Sequence, residues 1–416
     1  MVAPAYGFPT QLSLNQPLTM KLSSEVHLSY CTNIHPAETW DETFSALQKH
    51  TLKVRDAVFS DSNLHEAEPF AIGLRLSANA AEQLLEEDRL DNFKQWLDQE
   101  SCYVYTINGF PYGAFHDTRV KEQVYAPDWT TSDRLSYTLN LFNIIAELAP
   151  RSIGGSVSTL PGSFKEFQAD ETLIFKHLYA CAQHIALLSD QYEKDLHLGL
   201  EPEPLGHFEN TQESIDFFNR LHQWAASQQL PTDILTKHLG LNYDTCHFAL
   251  EFENCSDALT RLSEAKIRIS KIHLSNALAI KINSVADLDP LLPFDEPTYL
   301  HQLILKDANG AITRFKDLPL ALIQLQAHPQ DLLSPAECRV HFHIPLYDDP
   351  APPLGSTRTH AEEALTYLAE HPELCPHLEM ETYTWGVLPD SLQIPIEKQL
   401  SKEYLWTLTH WQQVQR

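Results

Sequence analysis

The sequence predicts an eight-stranded parallel α/β barrel, the (β/α)8 fold, and three observations carry that expectation. Short apolar runs alternate along the chain with longer stretches of helical period, the order that builds a parallel sheet covered by helices. Four of these runs, all in the second half, end in a carboxylate or an imidazole: HLGLEPEP at Glu201, LNYDTCH at Asp244 and His247, SKIHLSN at His273 and LEMETY at Glu381. In a parallel barrel the carboxyl ends of the strands surround one mouth, so such side chains collect around one point. The length of 416 residues exceeds a usual single core but suits one barrel with insertions.

Taken in order, strand-like runs begin at Val26 (VHLSYCTN), Phe70 (FAIGLRLS), Cys102 (CYVYTING) and Ser152 (SIGGSVST), and the four ligand-bearing runs complete a set of eight. Between them, helical periodicity is expected over 38–58, 78–101, 133–149, 169–194, 211–228 and 256–267. After His273 the alternation breaks, because about a hundred residues precede the final strand where a crossover needs a few tens. A large insertion between strands seven and eight is therefore expected, at about 277–372. Inside it, HQLILKDANGAITRFKDL reads as a hairpin turning at Asp307, Asn309 and Gly310, since Asn-Gly supplies the positive φ of a tight turn. ECRVHFHIPLYDDPAPPLG adds a strand with His341 and His343 before a proline-rich bend. Long structured insertions at this face of a barrel act as lids, so the segment is expected to cover the mouth. Residues 1–25 read as an N-terminal extension and 26–416 as one barrel domain.

Composition narrows the function classes. A formal net charge of −27, from 29 basic and 56 acidic residues, repels phosphate backbones, so no nucleic-acid partner is expected. No apolar run approaches the ~20 residues of a membrane span, which argues against membrane insertion. The seven cysteines have no CxxC spacing and an odd count, as suits reduced thiols in a cytoplasmic protein without a zinc finger or disulfide framework. The first 19 residues lack a basic segment followed by an apolar one, so no secretory signal is read. GxxxxGK[ST], GxSxG and HExxH are all absent, which removes support for P-loop, α/β-hydrolase and zincin chemistry.

Each strand end has a plainer reading beside the functional one. Glu201 is followed by Pro202, Glu203 and Pro204, so Glu203 is an alternative inward carboxylate. Asp244 and His247 have the form of a helix N-cap and a first-turn histidine. A lone histidine such as His273 can simply satisfy a buried carbonyl. Glu379 and Glu381 share a face of one strand, and parity cannot choose between them, although Glu381 lies nearer the carboxyl end. His341 and His343 also share a face, as a metal-binding pair or as edge histidines.

DTCHFA from Asp244, IHLSN from Ile272, the Glu201 strand end and METY around Glu381 resemble the motifs of the xylose isomerase-like barrel superfamily, which contains sugar isomerases, epimerases and endonuclease IV. The resemblance follows most of the chain in order and spacing. It implies that Glu201, Asp244, His273 and Glu381 bind one divalent ion and that His247 contacts substrate or a further metal. A three-oxygen, one-nitrogen shell favours Mn2+, with Zn2+, Mg2+, Co2+ and Fe2+ as alternatives. It further implies proton transfer next to a carbonyl, with Glu201 and Glu381 as the catalytic pair and a sugar, sugar phosphate or cyclitol as the small polar substrate. More narrowly, YCTNIHPAETWDE, TINGFPYGAFH, HFHIPL and ETYTWGVLP are similar to the EboE family, called metabolite traffic proteins, which implies a role in a biosynthetic pathway.

The chain departs from endonuclease IV at the early strands, where LRLS, YTING and SVST carry no histidine ligands. A trinuclear zinc site is therefore not expected. His343 matches an endonuclease IV ligand while His341 departs from it, and His343 is assigned to substrate. Asn108, ending the third strand, and Trp385 are further substrate-binding candidates, with Asn33, His35, Trp40, Phe110 and Tyr112 read first as packing or loop residues. Cys246 is expected to be a buried thiol, and Arg75, Arg119, Arg151 and Arg358 form no recognisable phosphate nest. Two alternatives to an isomerase or epimerase stand: a metabolite carrier that keeps the metal cup without turnover, and a metal-dependent phosphoesterase.

Overall fold

Eight short runs buried on both faces form the parallel sheet, as expected where helices cover one face and a barrel interior fills the other. They are His27–Tyr30 (β1), Phe70–Arg75 (β2), Cys102–Asn108 (β3), Gly155–Thr159 (β4), Leu196–Leu200 (β5), Leu239–Asp244 (β6), Arg268–Leu274 (β7) and His377–Met380 (β13). In this computed structural model, which describes Leu22 and residues 26–62, 68–114, 121–348, 350–389 and 393–415, they pair in the order β1-β13-β7-β6-β5-β4-β3-β2. A parallel bridge between Cys31 and Gly73 brings β1 beside β2 and closes the ring. The chain is a (β/α)8 barrel. The expected N-terminal extension lies, apart from Leu22, outside the described residues, as does Arg119.

Helices cover the outside, most of them started by a side chain that accepts a hydrogen bond from the first turn. Thr39 makes a capping box with Glu42, and Thr131, Asp170, Asn210 and Asn254 cap Ser132–Leu148, Glu171–Tyr192, Thr211–Ser227 and Cys255–Glu264. The stretch expected as one helix over 78–101 is two, Ala78–Leu84 and Arg89–Gln99. The run Glu86-Glu87-Asp88 has no apolar side chain to hold it on the barrel, and Glu87 turns left-handed at φ 49°.

Between β7 and β13 the chain builds a second, antiparallel sheet from Asn276–Ile282 (β8), Leu303–Lys306 (β9), Ile312–Phe315 (β10), Ala336–Ile344 (β11) and Leu354–Ser356 (β12). Its order is β10-β9-β11-β8-β12. Leu303, Phe315, Leu318, Val340 and Phe342 lie in a core of its own. The β9–β10 hairpin turns at Gly310, φ 82°, with the Asp307 amide donating to the Ala311 carbonyl. Only Ser275 separates β7 from β8, so the barrel strand that carries His273 runs on into the second sheet.

Inside the barrel, size complementarity fixes where one acid lies. An added Cβ at Gly73 of β2 would stand 1.9 Å from Glu379 Oε1 and 2.6 Å from the Tyr30 carbonyl. The glycine is thus what leaves room for a glutamate from the opposite side of the closure. Gly73→Ala is expected to destabilise the protein by about 1–3 kcal/mol or more through overpacking, whereas Gly113→Ala, with nothing within 4 Å, should leave the denaturation midpoint nearly unchanged.

Candidate metal centre

At the carboxyl ends of β5, β6, β7 and β13, one ligand atom from each of Glu201, Asp244, His273 and Glu381 lies within 4.8 Å of the others, and all four side chains are buried. His273 Nδ1 is 3.2 Å from Glu201 Oε1, 3.4 Å from Glu381 Oε2 and 3.7 Å from Asp244 Oδ2. The opposite ring nitrogen, Nε2, lies 2.8 Å from Glu379 Oε2. With Nε2 donating its proton to Glu379, Nδ1 would turn a lone pair toward a cation held among the three carboxylates. Carboxylate behind a histidine is how proteins fix the tautomer of a metal ligand.

Asp244 reconciles its two sequence readings by dividing its oxygens. Oδ1 accepts from the Cys246 amide at 2.7 Å, the His247 amide at 3.3 Å and the Ser275 hydroxyl at 2.5 Å, capping the helix Thr245–Leu250. Oδ2 is buried without a hydrogen-bond partner among the described residues. A buried carboxylate oxygen left unpaired is costly, and a cation in the cluster would satisfy it. The donor set therefore fits a divalent metal ion.

Glu379 and Glu381, which parity could not separate, take different layers. Glu381 reaches the cluster, and its Oε1 accepts from Asn33 Nδ2 at 2.9 Å and Asn108 Nδ2 at 3.0 Å. Glu379 lies one layer deeper and accepts from Lys271 Nζ at 2.6 Å, with neither side chain exposed. Burial works against ionisation of Glu379, but Lys271 and His273 more than offset it and hold its pKa at about 2. Burial likewise opposes the charge on Asp244 and Glu381, yet the neighbouring histidines hold both below the usual carboxylate range. His273 is pushed well above its ordinary value because the acids outweigh its burial.

A cavity of about 70 Å3 adjoins the cluster, lined by Asn33, Asn108, Glu201, Glu203, His247 and Glu381 from the barrel and by Tyr299, Gln302 and His341 from the second sheet's segment. Burial and the neighbouring Glu201 raise Glu203 to about 8, so this second acid of EPEP faces the cavity largely protonated at neutral pH. Asn108 and His247 both line this cavity. His343 is not: it is fully buried, its Nδ1 is 2.9 Å from the Glu381 carbonyl, and its Nε2 faces His341. Trp385 is displaced too, because its indole N–H is tied to the Ile394 carbonyl and its ring lines a neighbouring cavity with His35 and His50.

Among the weaker candidates, Trp40 packs against Phe44 and Phe93, Tyr112 against Tyr137, and His35 bonds the Tyr30 hydroxyl. Cys246 is buried beside Leu250, Ala277 and Ile304. Arg75, Arg151 and Arg358 pair with Glu38, Glu193 and Glu362. Lys271 was not singled out in the sequence, although SKIHL places it two residues before His273, on the same inward face.

Eight parallel strands closed on themselves, with acids and histidines gathered at their carboxyl ends, define a (β/α)8 barrel with a candidate metal centre in its mouth. No family model matches the chain, and no curated protein sequence matches it. Among solved structures it is similar to an L-ribulose 3-epimerase (10% identity over 94% of this chain and 96% of that one, TM-score 0.49). It is also similar to a xylose isomerase domain protein from Planctomyces limnophilus (12%, 96% and 98%, TM-score 0.47) and to the IolI protein with a bound zinc atom (11%, 92% and 98%, TM-score 0.46). These neighbours are xylose isomerase-like barrels.

Lys271→Met removes one of the two partners of the buried Glu379 carboxylate, leaving His273 alone, and is expected to cost about 3–5 kcal/mol at neutral pH, measured by urea unfolding. The folded pKa of Glu379 lies below its ordinary 4.5, so the pair's contribution is fully present above 4.5 and is lost as pH falls toward about 2. The gap between wild type and variant should narrow over that interval.

Proposed function

We propose that the protein is a divalent-metal-dependent isomerase or epimerase that moves a proton next to a carbonyl of a sugar, sugar phosphate or cyclitol. One observation carries this reading: four ligand atoms within 4.8 Å of one another at the barrel mouth, beside a small cavity lined by polar groups. The substrate class rests on the resemblance of the strand-end motifs to sugar isomerases and epimerases, and the biosynthetic setting on the segments similar to the EboE family.

A divalent ion held by Glu201, Asp244, His273 and Glu381 would supply a Lewis acid for the substrate oxygens, with Mn2+ favoured by the oxygen-rich shell. The side chains do the rest. Glu201 and Glu381 face the cavity from β5 and β13, three positions apart around the ring, so they reach a bound carbon from different sides. One of the two carboxylates takes the proton from carbon, and the other, in its protonated form, delivers one. Asn33 and Asn108 fix the angle of the Glu381 carboxylate, and His247 meets a substrate hydroxyl. Tyr299, Tyr383 and Leu300 border the cavity and limit the water that reaches the exposed carbanion.

Incubating the metal-loaded protein with ketoses and inososes in D2O, with NMR detection of carbon-bound deuterium, tests the reading. Incorporation into at least one compound is expected, together with a loss of about 10²–10⁴-fold in Glu201→Gln, the usual range for removing a general base. Tight binding without exchange in any compound would instead establish a carrier.

A further inference from the structure

The second sheet carries a helix that is apolar on two sides. Leu318–Ala327, with the sequence LPLALIQLQA, turns Leu318, Ala321, Leu322 and Leu325 into that sheet's core. A helix at a protein surface ordinarily gives its other face to charged and polar groups. Here the outward stripe is Leu320, Ile323, Gln324 and Ala327, at i, i+3, i+4 and i+7, the spacing with which one helix packs on another. Leu320 is 52% exposed and Ile323 65%. Two segments that pack on this helix, Val285–Phe294 and the turn Pro329–Asp331, carry or adjoin the exposed Leu292 and Leu333. Of the other large exposed apolar side chains among the described residues, Leu85, Phe167, Leu173 and Leu187, no two lie within one helical turn.

The face is also free of charge. From Leu318 to Gln330 there is no Asp, Glu, Lys or Arg, in a chain of which 20% is charged and whose net charge is −27. Two copies of such a chain repel over most of their surface, so they can meet only where ionised groups are absent. A membrane surface fits poorly, because it calls for basic residues around the apolar stripe and repels an acidic protein. The stripe is complementary to itself. A two-fold contact sets one patch against its own copy, and with the axis between Ile323 and Gln324 and the helices antiparallel, Leu320 faces Ala327 of the second copy while Ile323 faces its Gln324. Large against small at each end lets the two helices interlock at the usual separation of about 8–10 Å. The platform is preformed: Asp317 Oδ1 accepts from the Leu318 amide at 3.1 Å, and Lys121 Nζ holds Asp317 Oδ2 at 2.7 Å. Docking therefore orders little that is not already fixed.

We propose that the helix Leu318–Ala327 is a self-association face through which two copies of this chain form a two-fold dimer, packed antiparallel along Leu320, Ile323, Gln324 and Ala327. A helix of ten residues is about 15 Å long, so the contact, even with its flanking leucines, belongs at the small end of specific interfaces, and the dimer forms reversibly with micromolar affinity. The inserted segment that borders the mouth is then also the one that joins the subunits. The inference does not rest on the isomerase reading.

Full-length, metal-loaded protein is followed by sedimentation velocity from roughly 1 to 100 µM, a range that brackets such an affinity. The mass should rise with concentration from the 47.4 kDa of one chain toward twice that value, and about 0.5 M salt, which screens the acidic surfaces, should tighten the dimer. Ile323→Lys should raise the dissociation constant by at least about tenfold, whereas Leu187→Lys, on the barrel helix Glu171–Tyr192 and 70% exposed, should leave it unchanged. Gln324→Lys, at another exposed position of the stripe, gives the same reading should Ile323→Lys alter the fold. Leu320→Ala and Ala327→Leu should each weaken the dimer and the double variant should recover it, since in an antiparallel pair the large and small positions simply change places. A protein that stays monomeric through the whole range overturns the proposal and leaves the face to a different protein or to another segment of the same chain. A dimer that both lysine variants of the stripe leave intact overturns it as well, because it lies on another surface.

Discussion

The architecture of the mouth depends on how charge is balanced among four buried carboxylates. Glu201, Asp244, Glu379 and Glu381 lie close together where water cannot screen them. Against them the barrel sets one buried ammonium, Lys271, and that ammonium is spent on Glu379 in the deeper layer. The three acids of the upper layer are left with imidazoles, and they hold His273 protonated in their midst. Such an arrangement is a poor way to fill a core and a good way to hold a cation. The surrounding details follow from it: Gly73 makes room for Glu379, Glu379 orients His273, the amides of Asn33 and Asn108 fix Glu381, and a helix start holds one oxygen of Asp244 so that the other stays free.

Much of this was legible in the sequence because two periodicities coincide there. The eight strands are short, apolar and separated by clear helical stretches, so each registers as a strand, and the polar residue that ends an apolar run stands out against it. What the sequence could not separate was depth. Glu379 and Glu381 have equal parity, and only the register of β13 against β7, which sets Glu379 beside His273, shows that one is a partner of the histidine and the other faces the cavity. Lys271 was hidden for the opposite reason: in SKIHL a single lysine reads as an edge charge until the barrel closes over it. His343 and Trp385 were misplaced as cavity residues because a position in chain order near the mouth does not fix which way a side chain turns. His343 is the second of an alternating pair and is sealed behind His341, and the Trp385 indole is captured by a backbone carbonyl nine residues on.

The second sheet adds what the barrel strands lack. Endings such as YTING and SVST carry no histidine, and the imidazoles beside the cluster come instead from β11, a strand outside the barrel, and from the helix that follows β6. A segment that looks in the sequence like an interruption is thus where two of the four imidazoles at the mouth originate, His341 and His343. His343 is anchored to the Glu381 carbonyl just past β13, and His341 through Gln302, which donates to the Pro204 carbonyl in the loop after β5, so the two sheets meet through backbone groups of the barrel.

The continuity of β7 with β8 has a mechanical side. Ser275 is the only residue between a strand wedged into the barrel wall and a strand at the heart of the second sheet, and both are hydrogen-bonded to neighbours along their lengths. A single residue between two paired strands leaves little chain to act as a hinge there. The sheet above the mouth is accordingly a fixed wall rather than a flap, and selection of what enters falls to the static width of the opening beneath it, as a keyhole selects by shape without moving.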